Sequence, residues 1–265
     1  MFFLRIIILA WLGILLCGFQ AFAQPQTLRI AAAADLQQAM PELCKGFAQQ
    51  RNVQKRPQVR LEAVYGSSGN FTTQIRQGAP FDLFFSADMR YPALLADAGL
   101  TTAQPRKYAT GQMVMWVASK PLRSANVSRQ TMNLHLLKNP LVQRIAIANP
   151  IHAPYGERAQ EALQALGIWA SIEHRLVRAD NVAQAAQFAA TGNADAAIIS
   201  LSQAMMSVLA QKGEYALIDK TLYTPLEQGA VVLLRSKDRT LAEEFLAYCC
   251  SPEGASVMKR FGFLP

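Results

Sequence analysis

Short apolar runs alternate along the chain with longer segments in which apolar residues recur every three or four positions. After residue 27 the first part of the chain reads LRIAAAA, LQQAMPELCKGFAQQ, VRLEAVYG, NFTTQIRQ, FDLFFSA and YPALLADAGL. The short runs predict buried strands, and the periodic segments predict helices. Strands that alternate with helices are typical of a mostly parallel sheet covered on both faces, so the sequence predicts an α/β fold.

The same alternation begins again after Gly111. There the chain reads MVMWVAS, RIAIANP, YGERAQEALQAL, LVRAD, NVAQAAQFAAT, DAAIIS and LSQAMMSVLAQ. A last apolar run, GAVVLLRS, predicts one more strand, and two helical segments follow it. A second α/β unit of the same plan is therefore expected, and the final helices are expected to return to the first unit.

This pattern divides the chain into two lobes. We predict a discontinuous lobe I of residues 24–110 and 229–265, and a lobe II of residues 111–228. The strand-like runs near residues 111–119 and 229–235 are the expected crossings between the lobes.

Residues 1–23, MFFLRIIILAWLGILLCGFQAFA, have the pattern of a cleavable signal peptide. Arg5 precedes an apolar run that ends in Ala21-Phe22-Ala23, the small-x-small pattern that signal peptidase cuts. A membrane anchor is the alternative, but the run is short and no basic patch follows it. We expect the mature chain to begin at Gln24 and to be exported to the periplasm.

The chain has 26 Lys and Arg residues against 18 Asp and Glu residues, a net charge of +8. This charge would draw anions toward the protein, or it would simply favour solubility, and the sequence does not distinguish the two. The sequence contains no dense tract of Lys and Arg and no interleaving of Arg with aromatic residues, so no nucleic-acid partner is expected.

The cysteines and histidines do not form a pattern of metal ligands. Cys44 could form a disulfide with Cys249 or Cys250 in an oxidising compartment, or all three could be buried thiols. The three histidines lack ligand spacing to one another and to the cysteines. We therefore expect no cofactor and no side chain that coordinates a metal directly.

Four junctions between a predicted strand and the following helix combine small and polar residues. They are Ala33-Ala34-Asp35, Gly66-Ser67-Ser68-Gly69-Asn70, residues 150–156, and Ala179-Asp180-Asn181-Val182. In open α/β sheets ligands bind beyond the carboxyl ends of strands, where the first amides of the following helices are unpaired. Those amides and the helix dipole favour an anion.

The second junction offers hydrogen-bond donors without a cation. Ser67 and Ser68 carry hydroxyl groups, while Gly66 and Gly69 allow close approach of the backbone. A fully ionised tetrahedral oxyanion only accepts hydrogen bonds, so a site of hydroxyls and amides suits it. The alternative is that Ser67 or Asn70 merely caps the next helix.

Enzyme motifs are absent from the sequence. The nucleophile elbow GxSxG would need glycine at position 70, where the chain has Asn70, and neither GxGxxG nor a P-loop occurs. The chain is therefore expected to bind a ligand without catalysis.

Several stretches resemble one family over nearly the whole predicted mature chain. They are RIAAAADLQQAM, VYGSSGNFTTQIRQGAPFDLFFSAD, IANPIHAPYGERAQEALQALGIW, DNVAQAAQF, LEQGAVVL and SPEGASVMKRFGF. In this order they resemble the periplasmic molybdate-binding proteins of ABC importers. The resemblance implies a type II periplasmic binding fold with two lobes that close on a tetrahedral oxyanion, molybdate and often tungstate. It also implies an inner-membrane permease as partner and a protein that acts as a monomer.

The resemblance carries ligand contacts onto particular positions of this chain. Ser68, with Ser67 beside it, matches the serine of the second junction, and Tyr155 and Val182 match positions that donate backbone amides. Ser68, Tyr155 and Val182 are thus expected to contact the oxygens of molybdate, not its metal atom. Tyr155 could also supply a phenol in place of a family tyrosine whose position is taken by Ser200.

Asp35 departs from the family pattern, because a serine is expected at its position. An ionised carboxylate at about 4 Å from a dianion would cost several kcal/mol by like-charge repulsion. We expect Asp35 to cap the helix that begins at Leu36 and to offer the ligand only its amide. The alternatives are that Asp35 is protonated, or that the ligand carries a donor or positive group.

The sequence thus favours a periplasmic substrate-binding protein for molybdate and, by the resemblance, tungstate. The alternative is the same fold binding another oxyanion or a small organic acid with the help of Asp35. A receptor or scaffold domain without a cleft ligand is a third and more distant interpretation.

Overall fold

The structure is a computed structural model that describes residues 26–124 and 132–265, with the backbone alone described for residues 122–124. The predicted signal peptide lies outside the described residues. The strands are β1 Gln26–Ala33, β2 Val59–Gly66, β3 Leu83–Ser86, β4 Arg106–Gly111, β5 Met113–Ala118, β6 Ile145–Ala148, β7 Leu176–Ala179, β8 Ala196–Ser200, β9 Gly213–Leu217 and β10 Leu226–Val232.

Helices follow most of these strands. They are α1 Ala39–Val53, α2 Ser68–Arg76, α3 Arg90–Asp97, α4 Ser119–Ser124, α5 Pro154–Ala165, α6 Trp169–Ile172, α7 Val182–Ala190, α8 Leu201–Ala204, α9 Ser207–Lys212, α10 Arg239–Cys249 and α11 Pro252–Arg260. Short 3-10 helices span Ala34–Gln37, Leu134–Lys138, Glu173–Arg175 and Lys220–Leu222. The predicted α/β fold with two lobes is confirmed.

The strands form two five-stranded mixed sheets. The first sheet has the order β2-β1-β3-β10-β4, and the second has the order β7-β6-β8-β5-β9. In the first sheet β1 pairs in parallel with β2 and β3, and in the second β6 pairs in parallel with β7 and β8. Each sheet therefore has a point where the connections from its central parallel strand diverge, and ligands of open α/β sheets bind at such points.

The predicted crossing strands need a correction. β4 belongs to the first sheet and β5 to the second, so the chain crosses at Gln112. β10 does not cross, because it is paired on one side with β3 and on the other with β4. The chain therefore returns to the first sheet between β9 and β10, before the predicted crossing at residues 229–235.

The apolar side chains of lobe I fill both faces of the first sheet. One face packs Leu28 and Phe85 against Leu43 and Phe47 of α1 and Phe245 of α10. The other face packs a smaller cluster that includes Phe71 and Phe84. These two layers hold β1, β2 and β3 in fixed register, so the loops that follow them have fixed positions.

The first predicted helix is divided in two. A 3-10 turn spans Ala34–Gln37, and α1 begins at Ala39, so Pro41 lies in the first turn of α1. An amide in the first turn of a helix has no partner within the helix, so proline is tolerated there. Cys44, Cys249 and Cys250 are free thiols, and of the three only Cys249 is fully buried.

None of the helices in the described parts of the chain has the length and hydropathy needed to span a bilayer.

Candidate functional site

A small cavity lies where the carboxyl ends of β1, β2, β6 and β7 face each other between the two sheets. Its volume is about 10 Å³, close to the least that one water molecule requires. The lobes are therefore nearly in contact around it, and a ligand held here has few atoms. It is lined by Ala33, Ala34, Asp35, Gly66, Ser67, Ser68, Ala87, Ala153, Pro154, Tyr155, Asn181 and Val182.

All four predicted junctions contribute to this lining. Among these lining residues there is no lysine, arginine or histidine, and Asp35 is the one with an ionisable carboxyl group. A ligand in the cavity would therefore meet hydroxyls, amides and one carboxyl group. Such groups bind an anion through hydrogen bonds rather than through an ion pair.

Ser68 is placed to donate a hydrogen bond into the cavity. It is fully buried, and its Oγ accepts a hydrogen bond from the amide of Ala87 at 3.0 Å. The hydroxyl hydrogen of Ser68 has no acceptor among the described residues, so it is available to a ligand. Its backbone amide lies in the first turn of α2, where helix geometry provides no acceptor.

Ser67 serves mainly as a cap and as a contact between the lobes. Its Oγ accepts a hydrogen bond from the amide of Asn70 at 3.4 Å and lies 3.0 Å from Nδ1 of His152. The capping alternative for Ser67 is thus confirmed. Ser67 also lines the cavity, but its hydroxyl is already shared with His152.

Lobe II contributes amides through the first turns of two helices. Val182 begins α7, and Tyr155 is the second residue of α5, after Pro154. The side chain of Asn181 accepts from the amides of Ala183 and Gln184, which leaves the Val182 amide uncapped. The backbone amides of Tyr155 and Val182 therefore have no acceptor inside their own helices, and both residues line the cavity where a ligand could accept from them.

The carboxyl group of Asp35 is buried and does not cap a helix. Oδ2 accepts a hydrogen bond from the hydroxyl of Tyr155 at 3.0 Å and another from Nε2 of Gln228 at 2.5 Å. The 3-10 turn Ala34–Gln37 has no side-chain cap, so the capping prediction for Asp35 is wrong. The carboxyl group instead turns toward lobe II and β10, where two donors hold it.

The second oxygen of the Asp35 carboxyl group is unsatisfied. Oδ1 is buried and has no hydrogen-bond partner among the described residues. Burial raises the pKa of Asp35 to about 6, although the hydrogen bonds from Gln228 and Tyr155 lower it. The amides of Asp35 and Leu36 lie near enough to the carboxyl group to lower the pKa as well, but neither forms a hydrogen bond of good geometry with Oδ1. A group with this pKa is partly protonated near neutral pH.

Gln228 connects Asp35 to a second buried tyrosine. Tyr108 lies with its hydroxyl 2.7 Å from Oε1 of Gln228 and 3.1 Å from the carbonyl oxygen of Ser86. Gln228 is fully buried in β10 and presents Nε2 to Asp35. The polar groups behind the cavity therefore form a chain from Tyr108 through Gln228 to Asp35.

Ser200 lies outside the cavity lining, so its predicted contact with the ligand needs correction. Its Oγ lies 2.9 Å from Oγ of Ser202 and accepts from the amide of Gln203. Ser202 in turn donates to the carbonyl oxygen of Asp35 at 2.7 Å, and Gln203 donates to that of Ala34 at 3.0 Å. Ser200 occupies the cap of α8 because β8 ends there, so it supports the contact between lobes instead.

Further polar contacts join the lobes at the rim of the cavity. Arg158 of α5 lies 2.7 Å from the carboxylate of Asp88, and both side chains are largely buried. Arg90 and Glu157 form a second pair at 2.6 Å that is much more exposed. The amide of Gly69 donates to the carbonyl oxygen of His152 at 3.0 Å. The structure therefore shows the lobes in a closed arrangement.

Comparison with known proteins agrees with this architecture. The family model of bacterial extracellular solute-binding proteins matches residues 28–264. The chain belongs to this family. The match extends through both sheets and all four junctions that line the cavity.

Relatives within the family show what this chain is similar to. It is 33% identical over 98% of its length to the molybdate-binding protein ModA of Azotobacter vinelandii, covering 96% of that protein. It is 34% identical to the ModA protein of Rhodobacter capsulatus, and the match covers 76% of each chain. A solved structure of the Azotobacter vinelandii periplasmic molybdate-binding protein superposes with a TM-score of 0.80 at 29% identity, over 90% of this chain and 99% of that one.

Sequence reasoning missed the partners of Asp35 and the buried ion pair. Gln228 precedes the apolar run GAVVLLRS, which predicts a strand only from Gly229 onward. In the structure β10 begins earlier, at Leu226, and Gln228 is buried within it. A polar residue at the start of an apolar strand was the available signal. The pairing of Arg158 with Asp88 depends on how the lobes meet, and no local pattern predicts it.

Proposed function

We propose that this protein is the periplasmic substrate-binding component of an ABC importer and that it binds molybdate, with tungstate as a second ligand. The main support for the proposal is the set of groups that line the cavity. Four strand-to-helix junctions from two lobes surround it with hydroxyl and amide donors, and none of its described lining residues is a cation. The molybdate-binding proteins named above support the choice of ligand.

The donors are arranged for a ligand that only accepts hydrogen bonds. Ser68 supplies a hydroxyl and an amide from lobe I, while Tyr155 and Val182 supply amides from lobe II. The first turns of α2, α5 and α7 each add a favourable dipole for negative charge. A tetrahedral dianion placed between them would be bound from both sides without contacting a metal-coordinating side chain.

The small volume of the cavity argues against a large organic solute. In the closed arrangement about 10 Å³ remains, so a tetrahedral oxyanion requires a small separation of the lobes, and a ligand with a carbon skeleton requires a larger one. The donors of Tyr155 and Gln228 are also already directed at Asp35. A small organic acid recognised through Asp35 therefore fits the site less well than an oxyanion.

Closure of the lobes is the proposed mechanism of recognition. The ligand would bridge Ser68 on lobe I and Val182 on lobe II, and contacts such as that of Asp88 with Arg158 would form as the lobes meet. A ligand shifts such an equilibrium by its difference in affinity for the two forms. A membrane permease would then recognise the closed form, and the protein would release its ligand without chemical change. We propose that it acts as a monomer after removal of residues 1–23.

Isothermal titration calorimetry tests the ligand directly. The mature protein should bind one molybdate or tungstate ion with measurable heat, and sulfate, phosphate and lactate serve as the comparison ligands. Absence of heat and of any thermal shift with every oxyanion would contradict the proposal. Binding of lactate in place of molybdate would favour the organic-acid alternative.

A further inference from the structure

Asp35 is a carboxyl group in a site that otherwise offers donors to an anion. It is fully buried, lines the cavity, and is joined to lobe II through Tyr155. An ionised carboxylate here would repel the proposed ligand. The geometry of its two oxygens shows how the same side chain can favour the ligand instead.

The two carboxyl oxygens of Asp35 have different surroundings. Oδ2 accepts hydrogen bonds from Tyr155 and Gln228, so its lone pairs are occupied. Oδ1 is buried and has no partner among the residues that the structure describes. A proton on the carboxyl group therefore belongs on Oδ1, because a proton on Oδ2 would displace one of the two existing donors. Protonated Oδ1 is a hydrogen-bond donor, which is what a fully ionised oxyanion requires.

We propose that Asp35 binds the oxyanion as a neutral carboxylic acid, so that binding of the ligand takes up one proton from solvent. The proposal rests on the proposed function, and it makes Asp35 a specificity-determining residue for that site. In the ionised form Asp35 opposes the ligand; in the protonated form it supplies the donor that the family serine would supply.

The titratable groups near Asp35 do not compete with it for this proton. The phenol of Tyr155 on α5 and that of Tyr108 on β4 have pKa values raised well above 10 by burial and by the Asp35 charge, so both stay neutral. β10 presents the neutral Gln228, and α8 presents the neutral Ser202 and Gln203.

The other elements packed around the 3-10 turn of Asp35 also present uncharged groups to the cavity. They are Ala33 at the end of β1, Gly66 at the end of β2, and Asn181 and Val182 at the start of α7. The charged groups at the rim form ion pairs among themselves, since Arg158 contacts Asp88, Glu157 and Glu161, and Arg90 contacts Asp88 and Glu157. His152 contacts Ser67 rather than Asp35, so it is the remaining titratable group to control for.

The experiment is calorimetry with molybdate between pH 6 and pH 8.5, in pairs of buffers that differ in ionisation enthalpy. These buffer pairs count the protons taken up per ligand. For the wild-type protein we expect nearly one proton per ligand at pH 8, and a dissociation constant that rises toward about tenfold per pH unit above the pKa of Asp35. Asp35→Asn keeps the shape and presents an amide donor, so we expect no proton uptake and tighter binding than wild type at pH 8.

Two further variants make the result specific. Asp97→Asn removes an exposed carboxylate at the end of α3 and should retain the wild-type pH dependence. Asp35→Ala should also lose the pH dependence, but it should bind more weakly than Asp35→Asn because it has no donor. A pH dependence in Asp35→Asn as steep as that of wild type would overturn the inference.

Each outcome separates this inference from the proposed function. Molybdate binding by wild type without proton uptake would overturn the inference and leave the function intact. Binding that strengthens as the pH rises would also overturn it. No oxyanion binding by any variant at any pH would remove the function itself. An infrared difference spectrum should show a carboxylic-acid band on ligand binding that is missing in Asp35→Asn, and absence of the band in wild type would contradict the protonated form.

Discussion

The hydroxyl of Tyr155 in lobe II donates a hydrogen bond to Oδ2 of Asp35 in lobe I at a distance of 3.0 Å. This contact joins the two lobes directly behind the cavity. It also lowers the pKa of Asp35, against the larger effect of burial, which raises it. Tyr155 therefore affects both the closure of the lobes and the charge of the site.

Tyr155→Phe should raise the pKa of Asp35, because the variant removes a hydrogen bond to the ionised form. We expect the decline of molybdate affinity with pH to begin at a higher pH than in wild type. Calorimetry across the same pH range measures this. A loss of affinity by the same factor at every pH would show instead that the phenol donates to the ligand, and unchanged affinity at every pH would exclude both roles.

Ser68→Ala should weaken oxyanion binding by about 10-fold to 100-fold, since a hydrogen bond to a charged group contributes about 1.5–3 kcal/mol. The variant removes the hydroxyl whose hydrogen has no acceptor in the described structure. Thr73→Ala is a matched control, because Thr73 is an exposed hydroxyl residue on the same helix α2. Equal affinities of these two variants would argue against a ligand at Ser68.

Gly69→Ala should prevent full closure of the lobes. A Cβ atom at this position would lie 2.6 Å from the carbonyl oxygen of His152 in the opposite lobe. Overpacking of this kind costs about 1–3 kcal/mol, and the cost applies only to the closed form. Ligand affinity should therefore fall while the melting temperature of the ligand-free protein changes little.

Small-angle X-ray scattering checks that result. Wild type should become more compact with saturating molybdate, and Gly69→Ala should do so less. Identical scattering of wild type with and without ligand would contradict closure as the mechanism.

The two ion pairs between the lobes should differ in how much they contribute to molybdate affinity. Asp88→Asn removes the buried partner of Arg158 but leaves the contacts of Arg158 with Glu161 and Glu157, so the cost should fall below the about 3–5 kcal/mol of a buried pair that loses its single partner. Glu157→Gln removes a half-buried partner of the exposed Arg90 and a weaker contact with Arg158, and such partly exposed pairs contribute about 0–1 kcal/mol. Asp88→Asn should therefore reduce molybdate affinity by a larger factor than Glu157→Gln. A larger loss of affinity in Glu157→Gln than in Asp88→Asn would contradict the contact of Asp88 with Arg158 between the closed lobes.

Asp35 should also make the stability of the protein depend on pH. The rise of its pKa from 3.8 to about 6 corresponds to about 3 kcal/mol. Because the folded state binds more protons than the unfolded state in this range, the free energy of unfolding should fall as the pH rises from about 4 to about 6. Asp35→Asn removes the buried charge, so it should unfold at higher urea concentration than wild type at pH 8 and show little gain at pH 4. Lower stability of the variant at pH 8 would contradict this.

The sequence predicts the positions of the donor loops well, because each depends on a local transition from strand to helix. Gly66, Ser68, Tyr155 and Val182 all line the cavity, as the junction pattern indicates. The periodicity of apolar residues, the position of small residues and the known geometry of helix ends are enough to predict such features.

The remaining parts of the site depend on how the two lobes meet. Asp35 is too far along the chain from Tyr155 and Gln228 for any local pattern to pair them, so local reasoning predicts a helix cap instead. Ser200 lies away from the cavity for a local reason, because β8 ends there and the side chain caps the next helix. Its position was inferred by matching a family pattern, whereas in the structure it caps α8 and contacts Ser202.

The most direct test of the central claim is a crystal structure of the mature protein with molybdate, with the metal located by its anomalous scattering. We expect one molybdenum peak between Ser68 of lobe I and the amides of Tyr155 and Val182 of lobe II, with the carboxyl group of Asp35 beside the ligand oxygens. A cavity without a molybdenum peak at saturating ligand, or a peak held by cationic side chains elsewhere on the protein, would contradict it.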